Sequence, residues 1–121
     1  MNKTETKAYN WLLQQGIPKE SIFFQRNKSP DFIIIDRNEG YEAKRLYGKK
    51  ILIDPKQFNV MKQQMIPITI LVFSDEQNEP IAKVPFKEIN QGTEKCRNTL
   101  IEWVSYNSIE DIRMRVKKVT K

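Results

Sequence analysis

Histidine is absent from this 121-residue sequence, and cysteine occurs once, at Cys96. The first absence excludes Ser-His-Asp and Cys-His nucleophile systems, His-ligated zinc and imidazole as a general base. The second excludes an internal disulfide or a cysteine metal cluster, which fits a reducing compartment such as the cytoplasm. Only four glycines are present, at 16, 40, 48 and 92. They are too scattered to build a phosphate-cradling loop. The longest nearly unbroken apolar stretch runs from Ile66 to Phe73, far short of the roughly 20 residues of a membrane span. Met1-Asn2-Lys3-Thr4-Glu5 leads into no signal-peptide core. Any chemistry therefore falls to carboxylates and amines.

What is present is positive charge, unevenly spread. The 21 Lys and Arg outnumber the 15 Asp and Glu, for a net charge of +6. Residues 1–42 are neutral, 43–62 carry +5, 63–111 carry −4 and 112–121 carry +5. Clustered positive charge is the footprint of a surface that meets a polyanion such as nucleic acid. In the central block Arg45, Lys49, Lys50, Lys56 and Lys62 are the candidate phosphate contacts. The plainer reading of the terminal block is a frayed basic tail.

With 39% hydrophobic residues, the length supports one domain with a real core. That core is expected over about 4–86, with 107–121 as a possible appendage. Thr4 to Gln15 reads as a helix stopped by Gly16, and Ser21 to Gln25 as a strand. Residues 31–36 and 41–46 read as a hairpin around Arg37-Asn38-Glu39-Gly40. Asp54-Pro55 signals a helix start, with Phe58, Met61 and Met65 at helical spacing behind it. Ile68 to Phe73 reads as a buried strand and Ala82 to Phe86 as a shorter one. Thr93 to Ser105 shows helical spacing, whereas Ile112, Met114 and Val116 alternate like an edge strand. Trp11, Phe23, Phe24, Phe58 and Trp103 read as core; Tyr41, Tyr47 and Tyr106 are candidates for base stacking. The order is α/β, with one mixed sheet flanked by helices (αβββαβ).

The hairpin holds the sharpest constellation. Glu42 and Lys44 lie two apart and project from one strand face. Symmetric pairing about the loop sets Ile35 opposite Glu42, Ile33 opposite Lys44 and Asp31 opposite Leu46, which keeps Asp31 on that face. Two carboxylates beside a lysine suit a hard divalent cation, which polarises a phosphate oxygen and acidifies a bound water. The lysine is placed to orient that water or to neutralise developing charge. The plainer alternatives are an Asp31 turn cap and a solvated Glu42–Lys44 pair.

Pro30-Asp31, ten intervening residues and then Glu42-Ala43-Lys44 resembles the signature of the PD-(D/E)XK nuclease superfamily. Acid-x-Lys occurs also at Glu5-Thr6-Lys7 and Asp54-Pro55-Lys56, but only the middle triplet has the paired strand and the Pro-Asp before it. The resemblance spans about residues 4–74 and implies a restriction-endonuclease-like core. It implies that Asp31 and Glu42 bind Mg²⁺ or Mn²⁺ with the Ala43 backbone carbonyl, and that Lys44 serves the attacking water. It adds Glu5 as a further metal ligand and Gln57 as a site residue; their plain readings are a first-turn helix acid and helix surface. The implied activity is hydrolysis of DNA phosphodiester bonds, on double-stranded or branched DNA, with a homodimer as a possible assembly. The competing reading is a nucleic-acid-binding module without catalysis.

Overall fold

The computed structural model describes residues 1–47, 50–53, 55–88, 94–95, 99–105 and 112–118. Helix α1 spans Lys3–Gln14. Its start is fixed by Asn2, whose side chain accepts from the Glu5 N–H at 2.7 Å while Glu5 Oε1 accepts from the Asn2 N–H at 2.7 Å. This reciprocal pair satisfies two donors that a helix N-terminus otherwise leaves orphaned. Gly16, at φ +85°, turns the chain off the helix as the sequence predicts.

Strands β1 (Ile22–Phe24), β2 (Phe32–Ile34), β3 (Glu39–Arg45), β5 (Ile68–Phe73) and β6 (Ala82–Pro85) form one mixed sheet in the order β1-β2-β3-β5-β6. All neighbours are antiparallel except β3 and β5. A parallel pair needs a crossover, and this one contains β4 (Lys50–Ile53) and helix α2 (Pro55–Lys62). Strand β4 has no counterpart in the sequence reading. It belongs to a second sheet, β4-β9-β8-β7, with β7 at Glu94–Lys95, β8 at Thr99–Ser105 and β9 at Ile112–Lys118.

The first sheet has an apolar layer on each face. On one side Phe32, Ile34, Ala43, Leu71 and Phe73 pack with Ala8 and Leu12 of α1. On the other, Ile68, Ile70, Val72 and Val84 pack with Phe58 and Met61 of α2 and with Ile51 and Ile53 of β4. Strand alternation then decides the chemistry. Because Ala43 faces α1, Glu42 and Lys44 face α2.

Several expectations need correction. The hairpin pairs Phe32 with Tyr41, Ile33 with Gly40 and Ile34 with Glu39, four residues away from the symmetric register. A 3₁₀ turn at Ile35–Arg37 and a left-handed Asn38 (φ +48°) make the reversal, so β3 begins before the expected loop has ended. The slip is even, so face parity survives. Phe23 is 55% exposed rather than core, and Met65, beyond the end of α2, is 97% exposed. The helical spacing read over 93–105 gives way to β7 and β8, and β9 lies between β4 and β8 rather than at an edge. Among the described residues no helix is long and apolar enough to cross a membrane.

Candidate functional site

Two residues of the hairpin hold each other through backbone and side chain. The Asp31 N–H donates to Glu42 Oε1 at 3.0 Å, and the Ala43 N–H donates to Asp31 Oδ2 at 2.8 Å. Continuing the observed register sets Asp31 opposite Glu42, which is why the Asp31 N–H reaches the Glu42 carboxylate and the Glu42 charge bears on the Asp31 carboxyl. The approach of Pro30 to β3 is tight. A Cβ on Gly40 would stand 2.7 Å from Pro30 Cγ, closer than two carbons can come without displacement. Gly40 therefore acts as a missing side chain in mid-strand, not as the hairpin turn residue. On the other side, Gln25 donates its side-chain amide to the Pro30 carbonyl and its backbone N–H to the Asp31 carbonyl, both at 2.7 Å.

Lys44 completes the group. Its Nζ lies 3.2 Å from Glu42 Oε2 and donates to Gln57 Oε1 at 2.8 Å. Gln57 comes from the first turn of α2, so the crossover helix reaches back to the hairpin. Glu42 is only 1% exposed and the Lys44 side chain 14%. Solvent reaches the carboxylates chiefly past Asp31, which is partly buried.

Burial of this kind disfavours charge. Burial, followed by the nearby Glu42 charge, pushes the Asp31 carboxyl up to about 8; the Ala43 N–H and Lys44 pull the other way without cancelling it. Burial also raises the Glu42 carboxyl, against the lowering by Lys44 and by the Asp31 N–H. Two acids that resist joint ionisation need a proton or a cation between them. Asp31 and Glu42 offer carboxylate oxygens of the kind a hard dication takes. Mg²⁺ keeps several waters and needs only one or two carboxylates from the protein.

Glu5 stands near enough for its charge to raise both carboxyls. Its Oε1 is engaged by the Asn2 N–H, and among the described residues no group of three or more acid or cysteine ligands gathers. The basic candidates are placed differently from one another. Arg45 makes a two-pronged ion pair with Asp75 at 2.8 and 2.7 Å. Lys56 and Lys62 are exposed on α2, Lys50 lies in β4, and Lys49 falls outside the described residues, as do Tyr106 and Cys96.

Two clefts flank the acids, and neither is lined by Asp31 or Glu42. One, of about 670 Å³, opens beside Ala43 and Lys44 and is bordered by Lys3, Lys7, Tyr47 and Ser74. The other, of about 410 Å³, opens beside Ser29 and Gln57 and carries Lys28 and Lys56. Gln25, Gly40, Lys7 and Ser74 went unnoticed in the sequence, because their roles depend on contacts the chain makes only once folded. The Asn2-x-x-Glu5 capping pattern is a local signal that was open to reading. No family model, no curated protein and no solved structure matches this chain.

Proposed function

We propose that the chain is a metal-dependent nuclease with a restriction-endonuclease-like core, hydrolysing phosphodiester bonds of DNA. The observation that carries this reading is the coupling of the Asp31 and Glu42 carboxyls across paired backbone, beside a Lys44 ammonium held by Gln57. A bound divalent cation, Mg²⁺ or Mn²⁺, supplies charge neutralisation at the phosphate and a more acidic water. Asp31 and Glu42 hold that charge in a site from which most water is excluded, where an electrostatic contact acts more strongly than in bulk solvent. Lys44 carries its positive charge beside the pair and Gln57 fixes its direction, so that it faces the phosphate or the attacking water. The exposed lysines of α2 and the rest of the 43–62 block attract the backbone without reading bases. One such site cuts one strand, so a double-strand break calls for two copies or two encounters.

The test is cleavage of linear, flapped and four-way DNA with Mg²⁺ or Mn²⁺, with chelator and the Lys44→Ala variant as controls. Metal-dependent cutting that Lys44→Ala abolishes is the expected outcome. Binding without cutting in either protein would leave a non-catalytic nucleic-acid module in its place.

A further inference from the structure

The cleft beside Lys44 has features that the hydrolytic reading does not use. Its volume, about 670 Å³, lies within the range of about 300–1,000 Å³ typical of small organic ligands. Lys3, Lys7, Lys44 and Arg45 border it; Glu42 pairs with Lys44 and Asp75 with Arg45, and Lys3 and Lys7 leave an excess of positive charge that favours an anion. Lys7 Nζ donates to the Ser74 carbonyl at 2.9 Å and the Gln77 carbonyl at 2.8 Å. An ammonium has three N–H groups, which leaves one for a ligand. Ser74 also lines this cleft, and its Oγ, buried behind the wall, has no hydrogen-bond partner among the described residues. A buried hydroxyl without a partner is uncommon and costly.

The remaining wall is aromatic. Tyr47 is 52% exposed, and the Arg45 guanidinium lies 4.8 Å from its ring centroid. Asp75 holds that guanidinium at 2.8 and 2.7 Å, which removes much of the freedom a long side chain otherwise loses on binding. The result is a stiff cation–aromatic platform beside an anion-attracting recess. A flat, apolar-faced group joined to a phosphate matches both halves.

We propose that this cleft takes one unpaired nucleotide of the substrate strand next to the bond that is cut. Its base stacks on Tyr47, and its phosphate meets Lys3 and Lys7. The proposal rests on the nuclease reading and narrows its substrate to DNA with unpaired residues at or beside the cleavage point. A base inside a duplex already stacks on its neighbours and cannot also stack on Tyr47.

The experiment measures binding and cutting separately with the full chain. Fluorescence anisotropy in EDTA, where no metal-dependent cutting occurs, compares a labelled oligodeoxythymidylate of six residues with a blunt duplex of similar charge. Tyr47→Ala is expected to weaken single-strand binding roughly 5- to 100-fold, Tyr47→Phe to restore it, and neither to alter duplex binding. Lys3→Ala weakens binding to the single strand more than to the duplex, and circular dichroism confirms that each variant is folded. Equal loss for both probes, or no loss with Tyr47→Ala, overturns the proposal. Tyr47-dependent binding in a protein that cuts no DNA under any metal would sustain the cleft and remove the nuclease reading. Cutting of flapped DNA that is indifferent to Tyr47→Ala would do the reverse.

Discussion

Replacing Asp31 with Asn gives the most direct measure of how closely the two acids are held. In the metal-free protein the folded state keeps the Asp31 proton until about pH 8, whereas an ordinary aspartate releases it near 3.8. Between those values the folded chain binds more protons than the unfolded chain. The contribution of Asp31 to stability is therefore greatest below pH 3.8 and declines as pH rises through the window, ending near pH 8. One proton sets a slope of just over 1 kcal/mol per pH unit, or about 2–3 kcal/mol between pH 5.5 and 7.5. Glu42, also raised, acts in the same direction. Asn is neutral throughout, and its Oδ1 still accepts from the Ala43 N–H. Without metal, Asp31→Asn is thus expected to match wild type only below about pH 4 and to exceed it progressively above, its advantage growing by roughly 8 °C in Tm between pH 5.5 and 7.5. Differential scanning fluorimetry in chelator across pH 5–8 reads this, and taking the difference cancels titrations common to both proteins. Mn²⁺ titrated into wild type reverses the order, raising Tm more at pH 8 than at pH 6, and leaves the variant unmoved. A Tm difference that is flat with pH would refute the shared-charge argument and with it the case for a cation at this point.

Four further outcomes follow from the same geometry. Lys44→Ala lowers the cleavage rate by about 10²- to 10³-fold, the usual loss for one preorganised donor, with single-strand affinity changed far less. Gly40→Ala forces Pro30 aside and is expected to cost about 1–3 kcal/mol, visible as a lower denaturant midpoint together with reduced activity. Asn2→Ala removes the cap of α1 and costs about 1 kcal/mol in chemical denaturation. Glu5→Gln preserves that capping pair, so its Tm stays within about 2 °C of wild type; a tenfold fall in cleavage at unchanged Tm would instead make Glu5 a metal ligand.

The parts of the site written in local sequence were legible, and those that depend on distant contacts were not. Pro30-Asp31 and Glu42-x-Lys44 share a face because strand alternation is a property of the backbone, and it survived a register error of four residues. The error arose because a 3₁₀ turn and a left-handed asparagine reverse the chain earlier than a four-residue loop would. Ile68–Phe73 was placed to the residue, since six apolar and β-branched residues bounded by Pro67 and Ser74 leave little choice. Gly40 was assigned to the loop because nothing local reveals that Pro30 lies over it. Strand β4 is four residues long and pairs with β9 more than 50 positions later, a partner no local pattern identifies. The same long-range pairing explains residues 99–105, where Leu100 and Val104 fit a helix by spacing but pair with Lys117 and Arg113 of β9.

The position of β4 also has a consequence for how the site is assembled in time. Glu42 and Lys44 sit in β3 and Asp31 just before β2, and the strands that pair with these are all made by residue 73. Gln57, however, hangs from a helix that directly follows β4, and β4 is zipped only when residues 112–118 arrive. A growing chain can thus form its acid pair early, while the element that steers Lys44 waits for nearly the whole sequence to be translated. Pairings this distant close slowly, so the lysine is expected to be aimed last. On the proposed nuclease reading, the hairpin would then hold its acid pair before Lys44 is in place to serve cutting.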